Sequence, residues 1–418
     1  MSNKIVWLIR VIEGKRRSSL RNALSFLLDF PEIKPNFCLF ISMAGIYLHI
    51  PFCRQACHYC NFHFSTSVKY LPEVVAAILK ELDLQKDYLE GEKIESIYFG
   101  GGTPSLLPQK ELNLFFEKIH KIHAFTNEVE ITLEANPDDL TLEKLKALRE
   151  TPVNRLSIGV QSFSEKDLKF MNRAHAVAEA KRCIENALAL GFENLSLDLI
   201  YGSPITSDRQ WEDNLNTFFD YQIPHISCYC LTVEPSTALD HFVRTGKAPP
   251  LDEEQAARQF EYLQQAMKTH GYEQYEISNF ALPGCYARHN SNYWLCEKYL
   301  GVGPSAHSFN GRSRQWNIAH NIKYLKAIRE GILPFEKEIL TPVMQYNEYV
   351  MTSLRTSWGC DLKKIKKWGD DLEKHFLETS VQFIDNQTIE VVAGKFCLTD
   401  KGKLLADNIA MKLFVQPA

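Results

Sequence analysis

Three closely spaced cysteines constrain this chain more than any other feature of its sequence. Cys53, Cys57 and Cys60 stand at spacings of four and three residues. The apolar run at residues 46–52 directly before them predicts a strand, so the three thiols share one loop at a strand end. Cysteines cluster this tightly mainly in metal or disulfide sites. The spacing therefore predicts a metal centre on this loop.

The number of cysteines narrows the kind of metal centre. A closed structural zinc site needs four ligands, and an ordinary iron–sulfur cluster uses four cysteines. A cubane cluster held by only three cysteines would keep one iron open for a small molecule. The alternative is a zinc ion that takes His49, His58 or His63 as its fourth ligand. The spacing favours the cluster.

Composition limits the class of protein. A chain of 418 residues with 45% hydrophobic residues can build two or three domains around a large core. The net charge of −4 gives no electrostatic signal for a nucleic-acid partner. Apart from the triplet, the 11 cysteines of the chain are scattered, which is typical of proteins of the reducing cytoplasm. No uninterrupted run of about 18 apolar residues is present, so no membrane-spanning helix is predicted.

Residues 1–43 differ from the rest of the chain. Basic residues there alternate with apolar ones, as in Arg10-Val11-Ile12. Such a segment could make a peripheral membrane contact or act as a targeting peptide. The alternative is that the segment is not part of the natural protein, because Met43 would be a good start. We expect the second.

From residue 44 to about 310, predicted strands alternate with predicted helices. Strands are expected at 46–52, 96–99, 128–133, 155–160, 195–200 and 225–231. Helices are expected at 70–89, 109–122, 142–149, 176–190, 210–221 and 253–269. Repeated strand–helix units imply an α/β fold in which helices cover a parallel sheet, as in a full or partial barrel.

Polar groups follow several of these strands. A glycine turn, Gly100-Gly101-Gly102-Thr103, follows the second strand; it could let backbone amides approach a ligand, or serve only as a tight turn. Glu134 and Gln161 end the next two strands, and Asp198 interrupts an apolar one. A carboxylate in such a strand is costly to bury unless it is paired, although a satisfied core aspartate is the alternative. Because ligands collect at the carboxyl ends of parallel strands, these groups are expected to form one site.

Five motifs together carry a family resemblance. They are Tyr47-x-His49-Ile50-Pro51-Phe52-Cys53, Gly100-Gly101-Gly102-Thr103-Pro104, residues 155–162 (RLSIGVQS), Asn172-Arg173-Ala174-His175 and residues 299–304 (YLGVGP). From about Ala44 to the C-terminus, the chain resembles the oxygen-independent coproporphyrinogen III oxidase family of radical S-adenosylmethionine (SAM) proteins. The resemblance implies a partial (β/α) radical SAM barrel over residues 44–310.

The same resemblance implies site residues. Cys53, Cys57 and Cys60 would carry a [4Fe–4S] cluster. The resemblance places three residues around the SAM bound to that cluster: Tyr47, Gly101 and Glu134. Six further residues match positions that contact a second SAM in the oxidases: Tyr59, Gly102, Thr103, Gln161, Arg173 and Asp198.

Two features resemble the HemW branch of this family, the haem chaperones. The oxidases carry a further cysteine two positions after the third cluster ligand, and Phe62 stands there in this chain. The segment H-N-x-x-Y-W at residues 289–294, which the family associates with haem, makes His289 the candidate axial ligand. The alternative is a core loop whose histidine only forms hydrogen bonds. Three rival ligands lie nearby: Cys285, Cys296 and His307.

The resemblance implies a cytoplasmic haem chaperone that binds the cluster, SAM and haem and passes haem to apo-haem proteins. The enzymatic alternative is radical decarboxylation of coproporphyrinogen III to protoporphyrinogen IX, which the absence of a cysteine at Phe62 disfavours. A third class, a zinc-bound structural or DNA-binding protein, is disfavoured by the spacing. The electron donor is not identifiable from the sequence.

Residues 311–418 show a different pattern. Helices are predicted at 322–330, 345–355, 362–368 and 372–379, then short strands at 388–392 and 395–398, then a helix at 401–414. Helices followed by two strands resemble a winged-helix module, a fold that often binds DNA. Because acidic residues are interleaved with the basic ones, we expect a C-terminal cap domain that shapes the porphyrin pocket instead.

Overall fold

The computed structural model describes residues 43–416. These residues divide into two compact units. The larger comprises residues 43–341 with Arg355–Ser357, and the smaller comprises Pro342–Leu354 with residues 358–416. The predicted basic segment, except for Met43, lies outside the described residues, and the sequence-based boundary at residue 310 lies inside the larger unit.

Six parallel strands form the centre of the larger unit, each hydrogen-bonded to the next in chain order. They are β1 (Met43–Ile50), β2 (Lys93–Gly101), β3 (Phe125–Ala135), β4 (Arg155–Gln161), β5 (Leu195–Tyr201) and β6 (His225–Cys230). The helices that connect and follow them are α1 (Leu71–Leu84), α2 (Gln109–Ile122), α3 (Leu142–Arg149), α4 (Glu165–Phe170), α5 (Val177–Ala189), α6 (Asp208–Asp220), α7 (Ala238–Arg244) and α8 (Glu253–Thr269). The predicted α/β architecture is confirmed.

Later segments extend the sheet on both sides. The added strands are β7 (Glu273–Glu276), β8 (Asn279–Ala281), β9 (Lys298–Val302), β10 (His307–Phe309), β11 (Ser313–Asn317) and β12 (Phe335–Ile339). The twelve strands lie in the order β12-β11-β10-β9-β1-β2-β3-β4-β5-β6-β8-β7. Only β9 among the added strands pairs in parallel, against β1. The parallel strands thus form a partial barrel, as predicted, with antiparallel strands at its edges.

Apolar periodicity explains why the helices cover the sheet. In α2, Leu112, Phe115, Phe116 and Ile119 recur at helical spacing and are buried. The rings of Phe115 and Phe116 pack edge-on against Phe99 of β2 at centroid distances of 5.9 and 5.6 Å. Every residue of β4 except Gln161 is buried, as expected for a strand covered on both faces.

Two more helices complete the larger unit, α9 (Arg288–Trp294) and α10 (Asn321–Arg329). The segment H-N-x-x-Y-W thus forms a short helix, α9, and not an irregular loop. Throughout residues 43–416, every helix is too short or too polar to span a bilayer.

The smaller unit combines helices with a three-stranded antiparallel sheet. Its elements are α11 (Pro342–Leu354), β13 (Cys360–Asp361), α12 (Leu362–Ile365), α13 (Asp370–Asp385), β14 (Ile389–Val392), β15 (Lys395–Leu398), α14 (Asp400–Lys403) and α15 (Ala406–Leu413). The predicted hairpin is present, with Val392 opposite Lys395. Ala393 and Gly394 form its two-residue turn, both at positive φ, as such turns require. The role of this unit as a cap stays a prediction.

Candidate functional site

The cysteine loop begins directly after β1 and is held at several points. The Cys53 amide donates to the Ser65 carbonyl (3.1 Å), and the His58 amide donates to the Met171 carbonyl (3.1 Å). The Asn172 side chain donates to the Ala56 carbonyl at 2.7 Å. The loop is therefore fixed to the segment that follows β4, at the carboxyl ends of the parallel strands.

The three cysteines of the loop are free, partly exposed thiols. Burial raises the pKa of Cys53 to about 11 and also raises the pKa of Cys60. Both thiols are thus protonated at neutral pH in the metal-free protein, and metal binding would release their protons. Within residues 43–416, no three His, Cys, Asp or Glu side chains converge on a single metal ion. In a cubane cluster each cysteine binds a separate iron, so the three sulfur atoms need not converge on one point. This loop therefore fits a cluster.

The histidines proposed as a fourth zinc ligand have other partners. His49 has both ring nitrogens engaged, Nδ1 with the Tyr47 hydroxyl at 3.1 Å and Nε2 with the His63 carbonyl at 3.0 Å. Nε2 of His63 lies 2.7 Å from Asn321 Oδ1, and Nδ1 of His58 lies 2.8 Å from the Phe170 carbonyl. These contacts engage both ring nitrogens of His49, and one ring nitrogen each of His58 and His63.

The glycine turn packs against β1 and the cysteine loop. A Cβ atom on Gly102 would lie 2.6 Å from the Phe52 carbonyl oxygen, and one on Gly101 would lie 2.7 Å from the His49 ring. Gly101 also has a φ of +107°. The adjacent amide of Thr103 donates to the Phe52 carbonyl at 2.7 Å. Close packing alone accounts for Gly101 and Gly102.

A cavity of about 210 Å³ lies inside the larger unit. Its wall brings together four predicted site residues: Tyr47, Glu134, Asp198 and His289. Among the other lining residues, the sequence analysis assigned no site role to Tyr98, Arg155, Ser157, His225, Ser227, Tyr229, Asn279 and Ala287. Arg155 carried the same signal as Asp198, a charged residue in an otherwise apolar strand.

Two carboxyl groups and one guanidinium set the charge of this cavity. Burial raises the pKa of Glu134 to about 7 and that of Asp198 to about 6. Glu134 accepts a hydrogen bond from the Tyr98 hydroxyl at 2.8 Å. The Arg155 side chain is buried, and its Nε atom has no hydrogen-bond partner among the described residues. The cavity can therefore present partly ionised carboxyl groups to a cationic ligand.

The candidate haem ligand His289 is enclosed at the opposite end of the strands from the cysteines. Gly45 makes room for it, since a Cβ atom there would lie 3.0 Å from His289 Cε1. Nδ1 lies 2.9 Å from the Ser96 hydroxyl and Nε2 lies 3.0 Å from the Tyr293 hydroxyl. Burial lowers the pKa of His289 to about 3, so the imidazole is neutral.

Glu95 of β2 and Glu130, in the middle of β3, anchor the helix that carries His289. The Glu130 carboxylate accepts from the amides of Arg288 and His289 at 3.0 and 3.1 Å. Glu95 accepts from the Asn292 side chain at 3.0 Å. Gly45 pairs with Ser96, and Ile50, next to the cysteine loop, lies five positions further along β1. At about 3.3 Å per residue, roughly 16 Å of strand separates the two ends.

The remaining predicted residues lie around the cysteine loop. Tyr59 packs on an apolar cluster that contains Met171 and Leu239. Arg173 donates to the Cys57 sulfur at 3.2 Å. Gln161 ends β4 at a φ of +67°, a strained conformation for a non-glycine residue. These positions and Thr103 do not line the 210 Å³ cavity.

Among the rival haem ligands, His307 is exposed and stacks on Trp316 at a ring distance of 6.2 Å. Cys285 and Cys296 are both partly exposed. None of the three lines the cavity that contains His289.

Comparison with known proteins identifies the family. Residues 47–218 match the model of the radical SAM superfamily. The chain is 34% identical to the heme chaperone HemW of Bacillus subtilis (strain 168), over 88% of this chain and 98% of that protein. The chain belongs to the HemW family. It is also 37% identical to the heme chaperone HemW of Escherichia coli (strain K12), over 63% of this chain and 69% of that protein.

A solved structure shares the fold of this HemW-family chain. Coproporphyrinogen III oxidase (HemN) from Escherichia coli, described as a radical SAM enzyme, aligns with a TM-score of 0.78. The alignment covers 90% of each chain at 21% identity. The predicted family and the radical SAM fold are thus confirmed. Membership in a radical SAM family implies a [4Fe–4S] cluster and SAM as cofactors.

Proposed function

We propose that this chain is a cytoplasmic haem chaperone that binds a [4Fe–4S] cluster, SAM and haem and passes haem to apo-haem proteins. The observation that carries the proposal is the likeness to a heme chaperone along 88% of this chain and 98% of the relative. The cluster is assigned to Cys53, Cys57 and Cys60. None of the three thiols is in a disulfide bond, and backbone hydrogen bonds fix their loop at the carboxyl ends of the parallel strands.

The SAM assignment rests on the groups beside that loop. Gly101 and Glu134 lie at the carboxyl ends of β2 and β3, and Tyr47 lies three residues before the end of β1. Tyr98 orients the Glu134 carboxyl, which suits a cationic ammonium or sulfonium ligand once ionised. When bound, the cluster would supply an electron, and SAM would supply the bond that this electron can break. The chain's own residues hold and orient the ligand.

The haem assignment requires the site at His289 to open. The cavity volume of about 210 Å³ lies below the usual lower limit of about 300 Å³ for ligand pockets. Both ring nitrogens of His289 are also occupied. We propose that the Tyr293 side chain rotates away when haem binds, which breaks its contact with His289 and exposes Nε2 to the haem iron.

Cluster assembly can be tested directly. Anaerobic reconstitution should yield iron and sulfide in the wild type and strongly reduced amounts in Cys53→Ser. Cys230→Ser, which changes an exposed cysteine elsewhere, is the matched control. Equal iron and sulfide contents in wild type and Cys53→Ser, or zinc in place of iron, would contradict the cluster assignment.

The chaperone can be distinguished from an oxidase by a turnover assay. Cluster-reconstituted protein is supplied anaerobically with SAM, a low-potential reductant and coproporphyrinogen III, and the porphyrins are separated by chromatography. We expect no protoporphyrinogen, since Phe62 stands where the oxidases carry a cysteine. Phe62 is 69% exposed, so Phe62→Cys should fold normally. This variant tests whether a cysteine at position 62 is sufficient for turnover. Product formed by the wild type would overturn the proposal.

A further inference from the structure

Two side chains donate hydrogen bonds to the sulfur atoms of different cysteines in the loop. The Thr103 hydroxyl lies 3.3 Å from Cys53 Sγ, and Arg173 Nη1 lies 3.2 Å from Cys57 Sγ. Sulfur is a weak acceptor as a thiol, but bonds to an ionised acceptor are about twice as strong as neutral ones. Both contacts would therefore strengthen when the sulfurs are metal-bound thiolates.

One amide group connects these two donors. Asn136 Nδ2 donates to the Thr103 hydroxyl at 3.2 Å, and Asn136 Oδ1 accepts from Arg173 Nη2 at 2.7 Å. A hydroxyl has one proton, so Thr103, which accepts from Asn136, is free to direct its proton at Cys53. Arg173 Nη2 also donates to the Gly159 carbonyl at 2.6 Å. Asn136 thus orients both sulfur contacts from the end of β3.

Glycine at position 159 leaves space for this arrangement. A Cβ atom there would lie 2.9 Å from Gln161 Nε2 and 3.3 Å from Arg173 Nη2. The guanidinium is therefore held from several sides.

We propose that Thr103 and Arg173 tune the reduction potential of the cluster and that Asn136 is the positioning residue that aligns them. The proposal rests on the proposed cluster at Cys53, Cys57 and Cys60. Reduction adds negative charge to the iron and sulfur atoms. Hydrogen bonds and a positive charge at the thiolates stabilise that added charge, which raises the potential. The resemblance to the oxidases connects Thr103 and Arg173 to a second SAM and assigns nothing to Asn136.

The test is the midpoint potential of the full-length, cluster-reconstituted protein, measured without SAM by anaerobic redox titration with electron paramagnetic resonance. Thr103→Val removes the hydroxyl at nearly constant volume, whereas Thr103→Ser keeps it. We expect Thr103→Val to shift the potential to a more negative value and Thr103→Ser to stay close to the wild type. A change of about tenfold in the reduction equilibrium corresponds to 59 mV for one electron.

Two further variants complete the test. Thr132→Val makes the same change at a buried hydroxyl in β3 with no hydrogen-bond partner in the described part of the chain, and should not shift the potential. Asn136→Ala should shift the potential in the same direction as Thr103→Val. If Thr103→Val fails to retain iron, Asn136→Ala serves as the test in its place. Wild-type potentials in both Thr103→Val and Asn136→Ala, at full iron content, would overturn this proposal alone. A wild type that assembles no cluster would overturn the proposed function and this proposal together.

Discussion

The Nε2 atom of His289 lies 3.0 Å from the hydroxyl oxygen of Tyr293, one helical turn away on α9. Tyr293 therefore occupies the nitrogen that a haem iron would need. The opposite nitrogen is held by Ser96, and α9 itself is anchored by Glu130. In this conformation His289 is a well-satisfied buried residue, so haem binding there has to compete with existing contacts.

Tyr293→Phe should increase haem affinity. The substitution keeps the ring but removes the hydroxyl that occupies His289 Nε2. A net hydrogen bond contributes about 0.5–1.5 kcal/mol, so the dissociation constant should fall about two- to tenfold. Titration of the protein with haem, followed at the Soret band, measures this. Tyr299→Phe is the matched control, since its ring packs against Tyr293 at 4.5 Å. Unchanged or weaker haem binding in Tyr293→Phe would argue against ligation through His289.

His289→Gln should weaken haem binding by at least about tenfold, the effect of losing about 1.4 kcal/mol, and should leave iron and sulfide contents unchanged. The glutamine retains a polar group for Ser96, and the cysteine loop lies at the other end of the strands. The Soret titration, repeated on Cys285→Ser and Cys296→Ser, distinguishes the rival ligands. Loss of the Soret shift in either cysteine variant, with normal binding in His289→Gln, would assign the ligand to that cysteine.

The contribution of Glu134 to the stability of the cofactor-free protein should fall as the pH rises from about 4.5 through 7. Burial raises the pKa of Glu134 to about 7, above its ordinary value of 4.5. A carboxyl with a raised pKa in the folded state stabilises fully below its unfolded pKa, and this contribution is lost as the pH rises through the folded value. Glu134→Gln should flatten that part of the profile, measured as the denaturation midpoint in urea from about pH 4 to 8. Parallel profiles in wild type and variant would show that Glu134 titrates normally.

Gly102→Ala should destabilise the cysteine loop. The added methyl group would lie 2.6 Å from the Phe52 carbonyl oxygen, which is backbone and cannot rotate away. Overpacking of this kind costs about 1–3 kcal/mol, and we expect lower iron retention after reconstitution. Gly102 does not adopt a positive φ, so the expected cost comes from this close contact and not from left-handed backbone strain. Equal stability and iron content in Gly102→Ala and wild type would show that the loop can shift to accommodate a side chain.

Local sequence predicted the elements whose boundaries are set locally. The predicted helices 109–122, 142–149 and 253–269 coincide with α2, α3 and α8. The Thr141 and Asp252 side chains cap the last two by accepting from amides of the first turn. The strands β7 to β12 were not predicted, since each has only three to five residues. Two of them, β8 and β9, also depend on pairing with β6 and β1, which are distant in sequence.

Parts of the candidate site were predictable where a residue type or a spacing in the sequence indicates a chemical role by itself. The cysteine spacing and the position of Asp198 are such signals. The three cysteines lie on one loop as partly exposed thiols, and Asp198 lines the cavity. The enclosure of His289 was not predictable, because it depends on Ser96 and Glu130, which are more than 150 residues away. The bridging position of Asn136 likewise depends on Thr103 and Arg173 from two other segments.

The most direct measurement of the central claim is haem transfer from the haem-loaded protein to the apo form of a b-type cytochrome, followed by difference absorption in the Soret region. Acceptor concentration is varied in large excess. A chaperone that hands haem over in a complex predicts a transfer rate that rises with acceptor concentration, beyond the rate of spontaneous haem release to a haem-scavenging protein. A transfer rate equal to spontaneous release at every acceptor concentration would contradict the account.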